Sequence, residues 1–274
     1  NRMWHHLFGR GIVESVDNFG VLGSKPSHPE LLDYLATQFQ NTNWSMKSMI
    51  RQIVLSEAYA MSSQLDTENT QVAKVDPDNT LLHRQNVRRL QGEIIRDTVL
   101  AVSGQLDASM YGNSIPAHLY PQMTNHRRPK ENGPVDADRR RSIYMRVQRN
   151  FLSPMILAFD MPLPDTTAGK RTVSNVPAQS LILMNDPFVI DQAQAWAISL
   201  IERHPESLEA RIKAAYLDAF GRQPSEAEQT AMLNFISQQA QEYTLPEKEE
   251  VFNLDLWKDV CQVLFMSKEF IYIG

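Results

Sequence analysis

Hydrophobic side chains recur at helical spacing along most of this chain. Leu31, Leu32, Leu35 and Phe39 follow Pro29 on one face of a helical wheel, which predicts an amphipathic helix over 28–40. The same pattern predicts further helices at about 45–60, 90–103, 154–159, 176–185, 187–203, 208–220, from 225 onward and at 254–267. The chain is therefore expected to be mainly α-helical.

Residues typical of helix ends flank these stretches. Ser27 and Glu30 have the spacing of a capping box, in which each side chain binds a free backbone amide, and Ser225 and Glu228 repeat it. Gly104 stands where a left-handed C-terminal cap is needed. Two more residues are expected to cap helices at their N-termini: Ser45 and Asp186.

Two segments interrupt the helical pattern. Residues 62–78 are polar and are expected to form a loop, while 108–141 is a long irregular stretch punctuated by Gly and Pro. The second segment is the predicted binding element, because long irregular loops in compact domains are usually functional. Ile143, Met145 and Val147 then alternate with polar positions, which predicts a short strand and a small β element near 142–148.

The expected architecture is a multi-helix, bundle-like domain. Residues 1–161 would form an N-terminal helical part with the long loop and the short strand, and 162–274 a C-terminal helical bundle, the two packed as one compact unit. Met3, Trp4, Leu7 and Phe8 form an apolar helix face that no capping residue precedes. We therefore expect the chain to be a piece of a longer protein.

Composition excludes several classes of protein. Apolar residues make up 42% of the chain, but no apolar run approaches the roughly 20 residues that span a bilayer, so no membrane span is expected. Cys261 is the single cysteine, which excludes an internal disulfide and the two-cysteine attachment of a c-type haem. We therefore expect no cofactor in this chain, direct electron transfer is disfavoured, and Cys261 is interpreted as a buried structural thiol.

The charge is distributed unevenly. The net charge is −5, yet 83–171 contains 14 Lys or Arg and 8 Asp or Glu, a net +6. Such a basic block can be a solvated face, an internal partner of acidic residues or a site for an anion. Nucleic acid is not an expected partner, because few aromatic residues are interleaved with the basic ones.

Arginines carry the strongest chemical signal. A guanidinium group is a planar fork that pairs with carboxylate, sulfate or phosphate, so several that converge would form an anion site. The candidate binding residues are Arg89, Arg96, Arg141, Arg146, Lys170 and Arg171, with His118 and His126 of the long loop. The favoured alternative is that these arginines form a structural network that holds the loop.

Catalytic and metal motifs are missing from the sequence. It contains no G-x-S-x-G elbow, glycine-rich phosphate loop or H-E-x-x-H, and the adjacent His5 and His6 would point about 100° apart on a helix. No metal site is therefore predicted. Asp160 and Asp165 flank Met161-Pro162-Leu163-Pro164 and are the candidate acid or base.

Several ordered segments together resemble one family. They are Asn1-Arg2-Met3-Trp4, Phe8-Gly9-Arg10-Gly11, His28-Pro29-Glu30-Leu31-Leu32-Asp33, Arg88-Arg89-Leu90, Ile95-Arg96-Asp97, Arg140-Arg141-Ser142-Ile143-Tyr144, Val176-Pro177-Ala178-Gln179-Ser180-Leu181, Met184-Asn185-Asp186-Pro187-Phe188 and Phe220-Gly221-Arg222. The chain resembles the C-terminal domain of unknown function, number fifteen fifty-three, of planctomycete-type cytochrome-associated proteins. This resemblance implies a large exported parent, periplasmic or extracellular, in which a haem-binding module precedes this domain. It carries over no catalytic residue.

Two hypotheses of function remain open at the level of sequence. In the first, the chain is an accessory or interaction module of an exported, cytochrome-associated protein linked to polysaccharide use, and its partners are the other domains of that protein. In the second, it is an enzyme that acts on an anionic glycan, sulfated or uronic. Arg89, Arg141 and Arg171 would then hold the anion, and Asp160 or Asp165 would act as acid or base.

Overall fold

The computed structural model describes residues 1–64, 70–124, 126–205, 207–246, 249 and 252–274. Its helices are α1 (Arg2–Phe8), α2 (Pro29–Asn41), α3 (Met46–Val54), α4 (Thr70–Val75), α5 (Gly92–Val102), α6 (Pro154–Ala158), α7 (Pro177–Asn185), α8 (Pro187–Arg203), α9 (Leu208–Phe220), α10 (Glu226–Glu242), α11 (Leu254–Phe265) and α12 (Lys268–Ile271). Strands β1 (Arg88–Arg89) and β2 (Tyr272–Ile273) pair in a two-stranded sheet. Among the described residues, no helix has the length and hydrophobicity needed to cross a membrane.

The predicted fold class, mainly α with a small β element, is confirmed. Most predicted helices are found within a few residues of their expected bounds. One expectation was wrong, because α4 lies inside 62–78, which was expected to be a loop; residues 65–69 lie outside the described residues. This short helix was not predicted because the segment around it is mainly polar and has no apolar periodicity.

The strand expected at 142–147 is not present. Residues Ser142–Tyr144 form a short 3-10 helix, and only an isolated parallel bridge joins Met145 to Ile115. The alternation failed to make a strand because Ile143 and Val147 face solvent, with 76% and 54% of their surface exposed. The described β element is instead the pair β1 and β2.

Helix caps show how tertiary contacts select among equal local signals. The capping box of Ser225 and Glu228 forms as predicted at the start of α10. The one expected from Ser27 and Glu30 does not, since α2 begins after His28 and the Ser27 hydroxyl donates to the carbonyl of Ile12. Spacing alone was the same in the two cases.

The chain divides into two compact units. The first contains 1–88, 168–170 and 272–274, and the second contains 89–167 and 171–271, whereas the sequence suggested a division near 162. In the first unit, Trp4 and Phe8 of α1 stack with ring centroids 4.2 Å apart, and they share a buried cluster with Met49 and Ile53 of α3.

The core of the second unit is centred on α8 and α11, which pack along their length. Trp196 of α8 stacks on Phe265 of α11 at 5.0 Å, and Trp257 is completely buried. Cys261 lies in the same core as a free thiol, and burial raises its pKa, as expected of a structural cysteine. This core gives the site described below a rigid base.

We predict that Trp257→Ala lowers the free energy of unfolding by about 3–5 kcal/mol, because it opens a cavity in a fully packed core. Val263→Ala on the same helix is the control, since Val263 is 41% exposed, and we expect a loss of less than about 1 kcal/mol. Denaturant unfolding of both variants measures the difference. Equal losses would contradict the assignment of the core.

Candidate functional site

A buried guanidinium holds one end of the long loop in the second unit. Arg96 projects from α5 with 2% of its surface exposed. Its Nη1 donates to the carbonyl of Arg140 at 2.9 Å and to the Ser142 hydroxyl at 3.1 Å, and its Nη2 donates to the carbonyl of Asp136 at 2.5 Å. Arg96 therefore bridges carbonyls on both sides of residues 137–139.

Residues 137–139 form a left-handed turn. Ala137, Asp138 and Arg139 have φ values of 47°, 51° and 61°, a conformation that costs about 1–2 kcal/mol for each non-glycine residue. The amide of Asp107 donates to the carbonyl of Arg139 at 2.9 Å, and the Asp138 amide donates to the Asp136 carboxylate at 3.1 Å. The surrounding hydrogen bonds compensate for the strain of the turn.

Asp97, the neighbour of Arg96 on α5, fixes the chain where it leaves this turn. Its Oδ1 accepts hydrogen bonds of 2.7 Å from both the backbone amide and the hydroxyl of Ser142. Arg141, a predicted binding residue, lies 3.9 Å from the other carboxylate oxygen and keeps 47% of its side chain exposed. Consecutive residues of α5 thus hold 136–142 from one side.

A second arginine, Arg140, contacts the beginning of the long loop. Arg140 Nη2 donates to the carbonyls of Tyr111 at 2.5 Å and Ser109 at 3.2 Å, while its guanidinium lies 3.8 Å from the centre of the Tyr144 ring. The Tyr144 hydroxyl in turn accepts from the Tyr111 amide at 2.7 Å. Gly112 has a φ of 95°, and a Cβ at this position would lie 3.4 Å from Arg140 Nη1, so both the backbone and the nearby guanidinium suit glycine.

This support leaves three large apolar side chains in solvent. We call Met110, Tyr111 and Ile143 the loop face; they are 59%, 81% and 76% exposed. Tyr111 is tied to Tyr144 by a hydrogen bond, and Ile143 adjoins Tyr144 in the chain. The backbone at Tyr111 is therefore held beside Tyr144, and sequence reasoning placed only Ile143 in a specific role, as a strand residue.

Arg89 forms an ion pair with the predicted catalytic residue Asp160. The Arg89 side chain is 2% exposed, its Nη2 lies 2.7 Å from Asp160 Oδ2, and its Nη1 donates to the Ser174 carbonyl at 2.6 Å. Burial alone would raise the pKa of Asp160, but the Ser174 amide and the Arg89 guanidinium outweigh it and lower that pKa. The Asp160 carboxylate is ionised at neutral pH, which does not suit a general acid.

Arg171 is paired just as closely. Its two terminal nitrogens donate to the two carboxylate oxygens of Glu93 at 2.7 and 2.8 Å, the bidentate geometry that arginine favours. Burial acts to raise the pKa of Glu93, but the hydrogen bond from Arg171 prevails and the pKa is lowered. The donor fork of Arg171 is occupied by this internal carboxylate.

The remaining predicted site residues are more exposed or lie elsewhere. Arg146 is 3.1 Å from Glu131, with 42% of its side chain exposed. His126 and Asp165 are exposed in irregular segments, and Lys170 belongs to the first unit. The structure thus joins Arg96 and Arg141 around Asp97 but pairs Arg89 and Arg171 separately. Their binding roles, and the catalytic roles of Asp160 and Asp165, stay predictions.

A pocket adjoins the loop in the second unit. It has a cavity volume of about 80 Å³ and opens to the surface between α5, α6, the start of α8 and residues 117–120 and 142–153. Predicted residues Arg96, His118 and Arg146 line it, together with Tyr120 and Asp186, which sequence reasoning had not assigned to a site. Among the described residues, no group of three or more His, Cys, Asp or Glu could hold a metal ion.

Tyr120 and Asp186 meet at the polar end of this pocket. The Tyr120 hydroxyl donates to Asp186 Oδ2 at 3.0 Å, and Asp186 Oδ1 accepts from the Phe188 amide at 2.9 Å, which confirms the predicted helix cap. Burial raises the pKa of Asp186, although the Tyr120 hydroxyl and the Phe188 amide oppose it. Burial and the nearby carboxylate also raise the pKa of Tyr120. The Asp186 cap signal was visible in the sequence, but its distant tyrosine partner was not.

Comparison with known proteins gives one family. The model described as "PSD1: Protein of unknown function (DUF1553)" matches residues 1–236. No curated protein and no solved structure matches the chain. The family description gives no reaction, ligand or partner, so function has to be argued from the geometry above.

We predict that Arg96→Lys lowers the free energy of unfolding by about 3 kcal/mol, because a single ammonium cannot reach the Asp136 and Arg140 carbonyls together. Hydrogen exchange at the amides of 137–142 should rise, while α8 and α11 stay protected. Arg139→Lys is the control: Arg139 is 59% exposed and 3.7 Å from Asp136, so we expect a change below about 1 kcal/mol. Unchanged exchange at 137–142 would refute the bridging role.

We predict that Asp160→Asn costs about 3 kcal/mol of stability at pH 7, because it leaves the buried Arg89 guanidinium without its carboxylate. The folded-state pKa of Asp160 is lowered, so its contribution is complete above the unfolded value and is lost as pH falls through the folded value. The difference in free energy of unfolding between wild type and Asp160→Asn should therefore become smaller below about pH 4. Urea unfolding from pH 7 to 3 tests this, with Asp165→Asn as the exposed control.

Proposed function

Because the chain belongs to the PSD1 family of proteins of unknown function (DUF1553), we propose its role from geometry: it is an accessory interaction module whose loop face docks onto another protein module. We propose further that the two modules belong to one exported, cytochrome-associated protein linked to polysaccharide use. The observation that carries the docking proposal is the exposure of Met110, Tyr111 and Ile143 on a backbone that arginine contacts hold in place.

Exposed apolar side chains are common singly, but a fixed group of them is a feature of binding surfaces. Met110, Tyr111 and Ile143 together expose well over half of their surfaces. Tyrosine and methionine are among the residues enriched at protein interfaces. Fixing the backbone beforehand reduces the entropy that is lost when a partner binds.

The charges near the loop face favour a protein partner over an anionic glycan. Arg140 is directed onto backbone carbonyls and the Tyr144 ring. Arg139 and Arg141 lie 3.7 Å from Asp136 and 3.9 Å from Asp97, so each already has an acidic neighbour. Binding a sulfated or uronic chain through Arg140 would break its hydrogen bonds to Ser109 and Tyr111, whereas burial of apolar surface would leave them intact.

The enzymatic alternative has less support from the same residues. Arg89 and Arg171 are each paired with a carboxylate of this chain, and the pKa of Asp160 is lowered. An enzyme that holds an anionic glycan needs cations that are available to the substrate and a carboxyl group that is free to exchange a proton, whereas Asp160 accepts hydrogen bonds from Arg89 and Ser174. We therefore assign these residues a structural role within the interaction module.

We expect the amides of 108–113 and 142–147 to exchange hydrogen more slowly in the full-length gene product than in this chain alone, because docking would cover them. Tyr111→Ser with Ile143→Ser should weaken binding between this chain and the separately expressed remainder of that product about tenfold or more, measured by calorimetry. Leu181→Ser with Leu217→Ser is the matched control, since these leucines are 55% and 53% exposed on α7 and α9.

Two results would contradict this proposal. In one, neither segment gains protection and the loop-face pair binds like wild type. In the other, the chain is retained by sulfated or uronic polysaccharide in affinity electrophoresis and the loop-face pair abolishes the retention. Release of reducing ends from such a glycan would instead restore the enzymatic hypothesis.

A further inference from the structure

The pocket beside the long loop has a composition that the docking role does not explain. Its walls combine polar and apolar side chains, and the apolar ones include Phe151, Leu152, Met155 and Phe188, all less than a tenth exposed. Well-packed interiors leave few voids larger than one water molecule, yet this cavity of about 80 Å³ could hold several waters. Water beside the apolar part of the wall makes few hydrogen bonds, so the apolar body of a ligand can displace that water at little cost.

Adaptable side chains form part of the wall. Met145, Met155 and Met161 all line the cavity, and the thioether side chain changes shape easily around a ligand. Met145 and Met161 are partly exposed, whereas Met155 is 2% exposed. The cavity can therefore adjust to a group somewhat larger than its volume at rest.

The polar end of the pocket offers hydrogen-bond acceptors. His118 Nδ1 lies 2.9 Å from the carbonyl of Gly133, and since a carbonyl only accepts, Nδ1 must carry the proton. In the neutral ring Nε2 is then an acceptor, and within the described residues it has no hydrogen-bond partner. The Tyr120 oxygen donates its hydrogen to Asp186, so it too can accept.

The cationic groups at the pocket are engaged by the protein itself. Arg96 donates to two backbone carbonyls and to Ser142, and Arg146 lies 3.1 Å from Glu131. Glu93 contributes a carboxylate to the wall, already neutralised by Arg171. An anionic ligand would have to displace Glu131 to bind Arg146, whereas a neutral donor would find acceptor atoms at His118 and Tyr120.

We propose that this pocket binds a small neutral ligand with an apolar body and a hydroxyl head, which donates to His118 Nε2. The ligand class is that of an alcohol or phenol, whether it arrives as a free molecule or as the hydroxyl-bearing side chain of a partner. This proposal is independent of docking through the loop face, because it uses different residues and a different kind of contact.

Phenol, benzene and benzoate test the proposal on the unmodified chain. They share a ring and differ in having a neutral hydroxyl, no polar group or an anionic head. With methyl-labelled methionine, phenol should shift the Met155 resonance saturably. Benzene should bind about fivefold more weakly for lack of one hydrogen bond, and benzoate should bind more weakly still. Equal affinity of phenol and benzene, binding of benzoate at least as tight, or no saturable shift up to the solubility of phenol would overturn the proposal.

Two variants separate the acceptor from the cavity. His118→Leu should abolish the preference for phenol over benzene, while His126→Leu, on an exposed residue of the same loop, should leave it intact. Ala117→Leu fills the cavity from a wall residue that is 7% exposed, and it should remove the binding of both probes. Retained phenol preference in folded His118→Leu would refute the assigned acceptor. Retained binding in Ala117→Leu would refute the assigned cavity.

A tyrosine-containing peptide distinguishes the two sources of the hydroxyl. If a peptide Gly-Tyr-Gly shifts Met155 with at least the affinity of phenol, and Gly-Phe-Gly binds more weakly, the ligand arrives as a side chain. If phenol binds and the peptide does not, the ligand is a free molecule. Each result supports the same hydroxyl chemistry at His118.

Discussion

The long irregular segment depends on the supply of hydrogen-bond donors to its carbonyl groups. Between 108 and 141 the described residues form only isolated bridges and belong to neither strand of the sheet, and an unsatisfied buried carbonyl costs about 1–3 kcal/mol. Arg96 meets this requirement for the carbonyls of Asp136 and Arg140, while Arg140 forms more exposed hydrogen bonds with those of Ser109 and Tyr111. A guanidinium suits this task because its five donors lie in a rigid plane and can reach several carbonyls at once.

This use of arginine determines what the surface can bind. Arg89 and Arg171 are paired with Asp160 and Glu93, so these two candidate anion-binding arginines are engaged within the chain. The surface beside the contacts of Arg140 and Asp97 is apolar, as the exposed Tyr111 and Ile143 show. Arginines of the basic block therefore hold the backbone beside an exposed apolar surface, and for this reason we propose a protein partner.

The same contacts position the pocket. Arg96 lies in its wall and over the Phe188 ring at 5.1 Å, which links α5 to the start of α8. Asp186 receives hydrogen bonds from both Tyr120 and the Phe188 amide, which ties residues of the long loop to the same helix. Because the helical core beneath is tightly packed, the polar end of the pocket has a defined geometry. The loop face and the pocket are two consequences of one supporting network.

The sequence by itself determined the helices, since their periodicity and caps are local properties: α10 begins at the predicted Ser225–Glu228 box, and Asp186 caps α8. Tertiary structure decided where local signals were equal or insufficient. Ser27 has the same capping spacing as Ser225 but hydrogen-bonds to Ile12, and the alternation at 143–147 found no neighbouring strand. The roles of the arginines could not be predicted from the sequence, which was consistent with both an anion site and a structural network. Their partners lie 40 to 85 residues away in Arg96–Asp136 and Arg89–Ser174, and only the folded chain brings such distant groups into contact.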